Sequence, residues 1–499
     1  MGITNNCFGW SGLLRHILGA IRGLALSALV ILAGCSIKDI GPINTLTSES
    51  RPGSPEYIPD VGDDGSTVIG LAFSGGGMRA SAFSYGVLTA LDELIIDEVP
   101  YRRSMADNVR VVAGVSGGAV MASYFALKGS DGFQDFDQRF LHQNPESAMR
   151  MGLNPANLVR VLHGGANDRS SFGRWLDENL YEGATFANLR HKNAPALWVT
   201  ASDVYNRTPF LFNEDTFAAL CSDLEALKIA DAVAASASFP VVFAPMVLQA
   251  PSADCPYQQP AWMTRALDDP NTSLRLHAYA DALASYRQNP SLKYVRLLDG
   301  GLTDNLGITG LVLARASART PYGPLSAEDG VKVRNMLFLV ADAGRGQTAK
   351  WGEAMHGPGI APLLQAAIDT NMVAALREGI DALVLAMDDW KRQLIEYRCS
   401  LPLETVRRIR GTTSGWNCRD VNVVVEHLAF ADLDQETEDR LNQVPTRLAL
   451  PKEDIALLVD SGRRTVYAHE SIMKVVADTR RGAGVREPMQ LSSAAGPVR

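Results

Sequence analysis

The chain has 499 residues, of which 46% are hydrophobic and 20% are charged, and its formal net charge is −8. This composition supplies enough apolar residues for a large buried core. It excludes a chain that is disordered throughout, a collagen-like chain and a disulfide-dense miniprotein. The acidic balance argues against nucleic-acid binding through a generally basic surface, so no nucleic-acid partner is expected.

The first 34 residues predict an export signal. They contain Arg15 and Arg22 but no acidic residue, and an apolar run follows at 24–33. About 20 apolar residues are needed for a helix to cross a bilayer, so this run is typical of a signal peptide. The sequence Leu32-Ala33-Gly34-Cys35 resembles the lipobox of bacterial lipoproteins, which implies cleavage before Cys35 and lipidation of that cysteine. An ordinary signal peptide and an uncleaved anchor are the alternatives.

Lipidation at Cys35 would place the protein at a membrane. Several acyl chains on one residue hold a protein firmly, whereas a single chain binds marginally. Ser36, rather than an aspartate, follows the cysteine, and in Gram-negative lipoproteins this pattern is similar to that of proteins sorted to the outer membrane. We therefore expect a lipid-anchored protein of the bacterial cell envelope, at the outer membrane and facing the periplasm or the cell surface.

Five segments follow from composition and pattern. Residues 1–34 are the predicted signal peptide, and 35–65, rich in Pro, Gly, Ser, Thr and Asp, predict a flexible tether. Residues 66–345 are expected to form the main folded body. Residues 346–480 predict a mostly helical extension that packs on the body, and 481–499 a frayed tail.

Strand-like runs alternate with helical patterns along the chain. The strand candidates are 67–73, 109–113, 196–201, 241–248, 294–298, 336–341 and 422–428. Helical patterns cover 78–94, a segment after the second predicted strand that ends at 127, and 360–397. Residues 129–195 and 250–290 are less regular and are interpreted as insertions or a cap. The alternation favours an α/β fold, a three-layer sandwich with a mostly parallel central sheet and a helical C-terminal extension.

Four cysteines remain after loss of the signal and lipidation of Cys35, namely Cys221, Cys255, Cys399 and Cys418. Four cysteines in an oxidising compartment allow three pairings, and the most local one joins the first two and the last two. Their spacing is not that of a zinc finger and the sequence contains no HExxH motif. We therefore expect no metal site and no cofactor.

The first candidate site is the turn Ser74-Gly75-Gly76-Gly77-Met78-Arg79, between a predicted strand and a predicted helix. Glycines let the backbone bend sharply and approach a ligand closely. The unpaired N–H groups at a helix start can bind a phosphate or a developing oxyanion. The turn lacks the last glycine of GxGxxG and the Lys-Ser/Thr of a P-loop. A tight turn without a ligand is the alternative.

The second candidate site is Gly114-Val115-Ser116-Gly117-Gly118, again between a predicted strand and a predicted helix. In a nucleophile elbow with the pattern G-x-S-x-G, a strained turn lifts the serine Oγ above the sheet edge. Gly114 and Gly118 relieve crowding between the strand and the helix. We therefore predict Ser116 as a nucleophile, with a packing turn as the alternative.

A serine nucleophile needs a base. His277, His356, His427 and His469 are late in the chain, but none lies in a recognisable loop. Asp299 follows a predicted strand and would lie at the carboxyl end of the sheet, where the catalytic groups of α/β folds gather. An Asp-Gly turn without a catalytic role is the alternative.

These segments together resemble the patatin-like phospholipase family. The matching elements are Gly75-Gly76-Gly77-Met78-Arg79, Gly114–Gly118 and Asp299-Gly300-Gly301, in this order. The segment 235–240, Ala-Ser-Ala-Ser-Phe-Pro, resembles the part of the family between nucleophile and aspartate. The similarity covers roughly 67–345.

The resemblance implies a patatin-like fold and a serine acyl hydrolase that acts on phospholipid, lysophospholipid or another lipid ester. It implies that Ser116 is the nucleophile and Asp299 the general base, without a histidine. It also implies that the N–H groups of Gly75, Gly76 and Gly77 form the oxyanion hole, and that Arg79 positions this turn. A non-catalytic lipid-binding envelope lipoprotein and a histidine-dependent α/β-hydrolase esterase are the alternatives. Transfer of the acyl group to another alcohol is also open.

Overall fold

The computed structural model describes residues 39–483 except for 49–57, 60–62, 99–101, 151–156, 158–159, 162–163, 192–193, 252–254, 347–354 and 356–358. The predicted signal peptide, its lipobox cysteine Cys35 and residues 484–499 lie outside the described residues. Among the helices that the structure describes, none is both long and apolar enough to cross a membrane.

Eight strands form one central sheet, in the order β10-β9-β1-β4-β5-β8-β7, with β6 paired to β5. The strands are β1 Thr67–Phe73, β4 Val109–Gly114, β5 Ala196–Asp203, β6 Thr208–Leu211, β7 Met246–Gln249, β8 Tyr294–Leu298, β9 Asn335–Asp342 and β10 Asn422–Ala429, while β2 Ile95–Asp97 and β3 Arg103–Ser104 form a separate pair. The strands from β10 to β5 run parallel, and β6, β8 and β7 add antiparallel pairs. Helices flank the sheet, so the predicted α/β class with a mostly parallel sheet is confirmed.

The α-helices of the described chain are α1 Gly77–Glu93, α2 Gly117–Lys128, α3 Phe172–Leu176, α4 Glu214–Ala219, α5 Ile229–Ser236, α6 Ala261–Asp268, α7 Leu274–Gln288, α8 Thr309–Ser317, α9 Ala327–Lys332, α10 Ile360–Ser400, α11 Leu403–Arg410, α12 Gln435–Gln443, α13 Lys452–Ala468 and α14 Glu470–Ala483. The region 250–290 contains α6 and α7, so its interpretation as less regular was wrong. The small and polar residues of α7 leave only a weak apolar stripe for sequence reading to detect.

The sheet separates two hydrophobic layers. In β1, Ile69 and Phe73 pack into the layer that contains α1 and α2, whereas Val68 and Ala72 pack into the layer that contains α10. All seven residues of β1 are buried. A strand that is covered on both faces has no need for polar alternation, which explains the continuous apolar run in the sequence.

Residues 39–48 lie against the body, which differs from the predicted flexible tether. β7 is the edge strand, and its residue Val247 exchanges backbone hydrogen bonds with Ile40 and Ile43. The side chain of Asn44 donates to the carbonyl oxygen of Gln249 and accepts from its N–H. Unpaired N–H and C=O groups of an edge strand readily bind another extended segment, and residues 39–48 supply one. Composition alone could not show this pairing.

The C-terminal extension completes the fold around the helix that follows the first glycine turn. β10 pairs with β9 along its whole length, from Asn422 to Ala429. α13 crosses α1 so closely that a side chain on Gly86 would clash with the carbonyl of Val459, and one on Gly462 with that of Phe83. The extension is therefore packed into the sheet and onto α1.

Two disulfides lie outside the sheet. The structure pairs Cys221 with Cys255 and Cys399 with Cys418, with Cα–Cα distances of 6.3 and 4.9 Å. This is the most local of the three possible pairings. The second bridge links the end of α10 to the loop before β10, both within the C-terminal extension.

Candidate active site

Ser116 occupies a strained turn between β4 and α2. Its φ of 52° lies in the left-handed region, which a residue with a side chain rarely adopts. The glycines around it allow the turn: a Cβ on Gly117 would lie 2.0 Å from the carbonyl oxygen of Gly77, and one on Gly118 2.3 Å from that of Phe73. Ser116 is partly exposed while its chain neighbours are buried. This is the geometry of a nucleophile elbow.

Asp299 reaches the same edge of the sheet from the opposite direction. β8 is antiparallel to β5, and its last residue, Leu298, pairs with Ser202 near the end of β5. The expectation that Asp299 lies at the carboxyl edge therefore fits, although its own strand runs against the parallel set. The N–H of Gly301 donates to Asp299 Oδ1 at 2.8 Å and fixes the carboxylate in place.

The Ser116 side chain interacts with the carboxyl group of Asp299 and lowers its pKa. Asp299 is 5% exposed, and this burial raises the pKa of its carboxyl group to about 6. Hydrogen bonds from the Gly301 N–H and the Ser116 side chain favour the carboxylate and lower the pKa, but burial outweighs both. A carboxylate with this pKa is ionised near neutral pH and is a stronger base than a surface aspartate.

The segment 235–240 connects both residues to the sheet. Ser236 Oγ accepts a hydrogen bond from the Ser116 N–H at 2.8 Å and donates to the carbonyl of Thr200 at 2.6 Å. The carbonyl of Ser238 accepts from the Asp299 N–H at 2.9 Å. In the sequence this segment is only part of a family resemblance, and the positioning roles of Ser236 and Ser238 were not predicted. Their repeat, two residues apart in a small-residue run, is the signal that could have found them.

The turn of residues 75–77 lies beside Ser116. A Cβ on Gly75 would be 3.5 Å from Ser116 Cβ, but the Gly75 N–H donates to the carbonyl of Asn305 at 3.0 Å. The predicted role of Gly75 as an oxyanion donor therefore does not fit this conformation. Gly76 and Gly77 have φ values of 142° and 60°, and no residue that the structure describes accepts a hydrogen bond from their N–H groups. These two donors start α1 next to the serine.

Arg79 holds this turn from behind. Its guanidinium is buried and donates to the carbonyl of Ala343 at 2.8 Å, to that of Val444 at 3.0 Å and to Thr446 Oγ1 at 2.9 Å. Burial, followed by repulsion from Arg345, lowers the pKa of Arg79 to about 10, so the group stays charged at neutral pH. Arg79 thus ties the start of α1 to the end of β9 and to the C-terminal extension.

A second contact from the extension closes the turn. The Met78 N–H donates to the carbonyl of Arg447 at 2.7 Å. Glu146 fixes this segment, because its carboxylate accepts from Arg447 Nε at 3.1 Å and from the Leu448 N–H at 2.9 Å. We refer to Glu146, Arg447 and Leu448 as the clamp. Nothing in the sequence linked these positions, which are about 300 residues apart.

Two side chains lie on the far side of the Asp299 turn. Asn305 is 7% exposed, and its Oδ1 has no hydrogen-bond partner among the described residues. Asn305 Oδ1 lies 2.6 Å from the position that a Cβ added to Gly75 would take, and 2.8 Å from that of a Cβ added to Gly301. Met372 of α10 closes over Gly301, with its Cε 2.7 Å from the same Cβ position. A side chain at position 75 or 301 would therefore force Asn305 or Met372 to move.

The late histidines do not gather at Ser116. His427 bonds Asp342 at 3.0 Å on β10, three strands from β4, which is roughly 14 Å at the usual strand spacing. His277 is exposed on α7, and His469 follows α13 in the extension. His356 lies outside the described residues. The residue that the structure places beside Ser116 is Asp299.

One family model and several solved structures are similar to this chain. Residues 71–312 match the family model for patatin-like phospholipases. VipD from Legionella pneumophila is 14% identical, with a TM-score of 0.31 over 90% of this chain and 73% of that one. Human GIVD cytosolic phospholipase A2 is 12% identical, with a TM-score of 0.39 over 86% of this chain and 64% of that one. No curated protein matches the sequence significantly.

The matched region contains the strained serine, the glycine turn and Asp299, while β9, β10 and the helices from α10 onward lie outside it. The family assignment rests on this domain match. Residues 71–312 form a patatin-like phospholipase domain, and the chain is a lipid ester hydrolase.

Proposed function

We propose that the protein is a membrane-anchored serine acyl hydrolase that cleaves phospholipid, lysophospholipid or another lipid ester through a Ser116–Asp299 dyad. The observation that carries this proposal is the pairing of a serine at φ 52° with a buried aspartate of raised pKa. Strain at a functional residue persists only where the surroundings impose it. The glycines and Ser236 supply that constraint here.

In the acylation step, Asp299 takes the proton of the Ser116 hydroxyl as Oγ attacks the ester carbonyl. The carbonyl oxygen becomes an oxyanion, which the N–H groups of Gly76 and Gly77 can bind. Each such donor typically contributes about 10²–10³ in rate. The tetrahedral intermediate collapses, the alcohol leaves with the proton from Asp299, and an acyl-Ser116 ester remains.

In the deacylation step, Asp299 takes a proton from water, whose oxygen attacks the acyl carbonyl. Collapse of the second intermediate releases the fatty acid and returns the proton to Ser116. The buried and uncharged surroundings of Asp299 favour this cycle, because a permanent cation beside the carboxylate would lower its pKa and weaken it as a base. Hydrolysis by the dyad requires no metal ion.

Membrane attachment is the second part of the proposal. The lipobox-like sequence that ends at Cys35 supports cleavage and acylation there. Mass spectrometry of the mature amino terminus should find a diacylglyceryl cysteine at position 35. Cys35→Ser should move the protein from the membrane fraction to the soluble fraction, and unchanged fractionation would exclude an anchor at this residue.

The dyad is tested with an active-site probe. A fluorophosphonate should label the wild-type protein and not Ser116→Ala, and this variant should lose at least about 10³-fold of its ester hydrolysis. Ser84→Ala is the matched control, since Ser84 is a buried serine of α1 whose hydroxyl has no partner among the described residues.

Full activity of Ser116→Ala would exclude the proposed nucleophile. Loss of activity in His427→Ala, with Asp299→Asn unaffected, would favour a histidine-dependent esterase. A wild-type protein that binds lipid without hydrolysing any ester would favour a non-catalytic lipoprotein.

A further inference from the structure

The segment after the proposed lipidation site is docked on the body from its first described residue. The carbonyl of Asp39 accepts a hydrogen bond from the Arg169 N–H at 2.9 Å, and the two side chains form an ion pair at 3.6 Å. Ile40 and Ile43 then pair with Val247 of the edge strand β7. The chain therefore meets the body at Asp39, not after a long free linker.

The distance from a lipid on Cys35 to this docking point is short. Only Ser36, Ile37 and Lys38 separate Cys35 from Asp39. Four residues of extended chain span at most about 14 Å. A bilayer that holds acylated Cys35 must therefore lie within roughly this distance of Asp39, and it must face the surface around Arg169. This step rests on the lipid anchor in the proposed function.

An exposed apolar tip adjoins the same point. Val241 and Val242 are 54% and 37% exposed. The N–H of Ala166 binds the carbonyl of Val241, and Asn167 binds that of Val242 through its N–H at 3.0 Å and its side chain at 3.2 Å. These contacts come from residues two or three positions before Arg169. The anchor point and the tip are thus held by one short stretch of chain.

The backbone of the tip is strained. Val241 has a φ of 72°, and for a β-branched residue this left-handed conformation is a genuine outlier. A strained residue costs stability, and strained positions cluster at functional sites. Both valine side chains leave apolar surface exposed to solvent, 54% of Val241 and 37% of Val242. An apolar environment outside the protein would cover that surface.

The tip follows, in the chain, the segment that positions Ser116 and Asp299. Ser238, three residues before Val241, accepts the hydrogen bond from the Asp299 N–H. Ser236, two residues earlier, accepts the one from Ser116. Lipid that surrounds the tip would therefore lie beside the dyad.

We propose that Val241 and Val242 form a tip that inserts into the bilayer to which Cys35 is anchored, so that the enzyme hydrolyses lipids of its own membrane. The docked segment 39–48 fixes the orientation, and the tip places the dyad at the lipid surface. The partner that covers this surface is a bilayer. Its acyl chains cover the exposed apolar side chains of the tip, and the anchor at Cys35 holds the bilayer close to them.

The first test compares two pairs of exposed apolar residues in the full acylated protein, reconstituted in vesicles of phosphatidylethanolamine and phosphatidylglycerol. Val241→Asp/Val242→Asp should slow hydrolysis of vesicle lipid roughly tenfold or more, because the bilayer no longer buries two apolar side chains of the protein. Aspartate tolerates positive φ better than valine, so the fold is not strained further. The control is Val384→Asp/Leu385→Asp on α10, where the exposures are 38% and 70%. This pair should behave like the wild type.

Hydrolysis of a soluble short-chain ester should be the same in all three proteins. An inactive wild-type protein in that assay contradicts the proposed function. Equal vesicle hydrolysis by the tip variant and the control, with intact ester activity, overturns only the insertion of the tip.

A second test asks which membrane is the substrate. Vesicles that carry the acylated protein are mixed with protein-free vesicles whose lipids have a different fluorescent label. Hydrolysis should be confined to the vesicles that carry the protein. Equal rates on both populations would overturn it. In addition, brominated lipids should quench the tryptophan fluorescence of Val242→Trp more than that of the wild type, which has seven tryptophans. Leu385→Trp should be quenched no more than the wild type, and equal quenching of all three proteins would overturn insertion.

Discussion

Asp299 and Asp215 are two buried aspartates with the same altered acidity and different neighbours. They are 5% and 7% exposed, and burial is the largest cause that raises the pKa of each to about 6. Asp299 receives hydrogen bonds from Ser116 and Gly301 at the sheet edge. Asp215, in α4, receives one from Trp262 Nε1 at 2.9 Å.

The difference shows that a raised pKa alone does not identify a catalytic base. Burial alters the acidity of both groups, but the indole N–H of Trp262 cannot act as a nucleophile after losing its proton. The Ser116 hydroxyl has the chemistry to do so, because its turn leaves the residue partly exposed. It also lies beside the N–H groups of Gly76 and Gly77, which have no acceptor among the residues that the structure describes. Chemistry therefore depends on which donor faces the carboxylate, and Asp215 serves as a natural control for Asp299.

The largest expected effect is the loss of the base. Asp299→Asn should lower kcat for ester hydrolysis by about 10²–10⁴, the usual contribution of general base catalysis. Asp215→Asn should leave kcat within about twofold. Single-turnover assays on a chromogenic ester measure both. A comparable loss in the two variants would show that the pKa reflects stability at both sites and that Asp299 is not the base.

Much of the fold, and the two residues proposed as the dyad, could be predicted from the sequence because local patterns encode them. Continuous apolar runs fixed β1 and β4 within one residue of the observed ends, and the glycine content around Ser116 predicted the elbow. Each of these features depends on residues that are close in the chain. The sequence positions of the strands, together with the rule that catalytic groups gather at one edge, placed Asp299.

The missed features all depend on contacts between distant segments. The antiparallel direction of β8, the docking of residues 39–48 on β7 and the clamp at Glu146 each join positions that no local pattern relates. The occupied N–H of Gly75 depends on Asn305, 230 residues later in the sequence. Hydrogen-bond partners of this kind are set by packing, which a periodicity cannot reveal.

The second expected effect is a pH dependence that belongs to Asp299. The carboxylate must be ionised to accept a proton, so kcat should fall about tenfold for each pH unit below a pKa of about 6. Asp215→Asn should retain this acid limb, although Asp215 has a similar pKa. A flat profile from pH 4 to pH 8, or loss of the limb in Asp215→Asn, would contradict the assignment.

A smaller effect should come from the clamp. Glu146→Gln removes the charge that holds Arg447, so the carbonyl that caps Met78 loses its fixed position and the oxyanion turn loosens. Misplacement of catalytic groups by about 1 Å can cost up to 10²-fold, and we expect roughly a tenfold loss in kcat with little change in KM. Glu182→Gln is the matched control, since Glu182 forms an ion pair with Arg139 on the surface. Equal rates for the two variants would show that the clamp does not position the turn.

The smallest expected effect is on stability, and there Asp299 and Asp215 should behave alike. A carboxyl whose pKa is raised by folding stabilises the folded protein at low pH, and this contribution is lost as the pH rises through the folded value of about 6. The increase of the pKa from 3.8 to about 6 for Asp299 corresponds to a cost in folding free energy of about 3 kcal/mol at pH 8.

Asp299→Asn and Asp215→Asn both remove such a cost. Each should raise the apparent Tm by a few degrees at pH 8 and by much less at pH 4. Only Asp299→Asn should lose activity as it gains stability, which is the trade-off expected of a buried catalytic charge. Thermal scans at the two pH values measure this, and a lower Tm for Asp299→Asn at pH 8 would show that its carboxylate is stabilised in the fold and not strained by it.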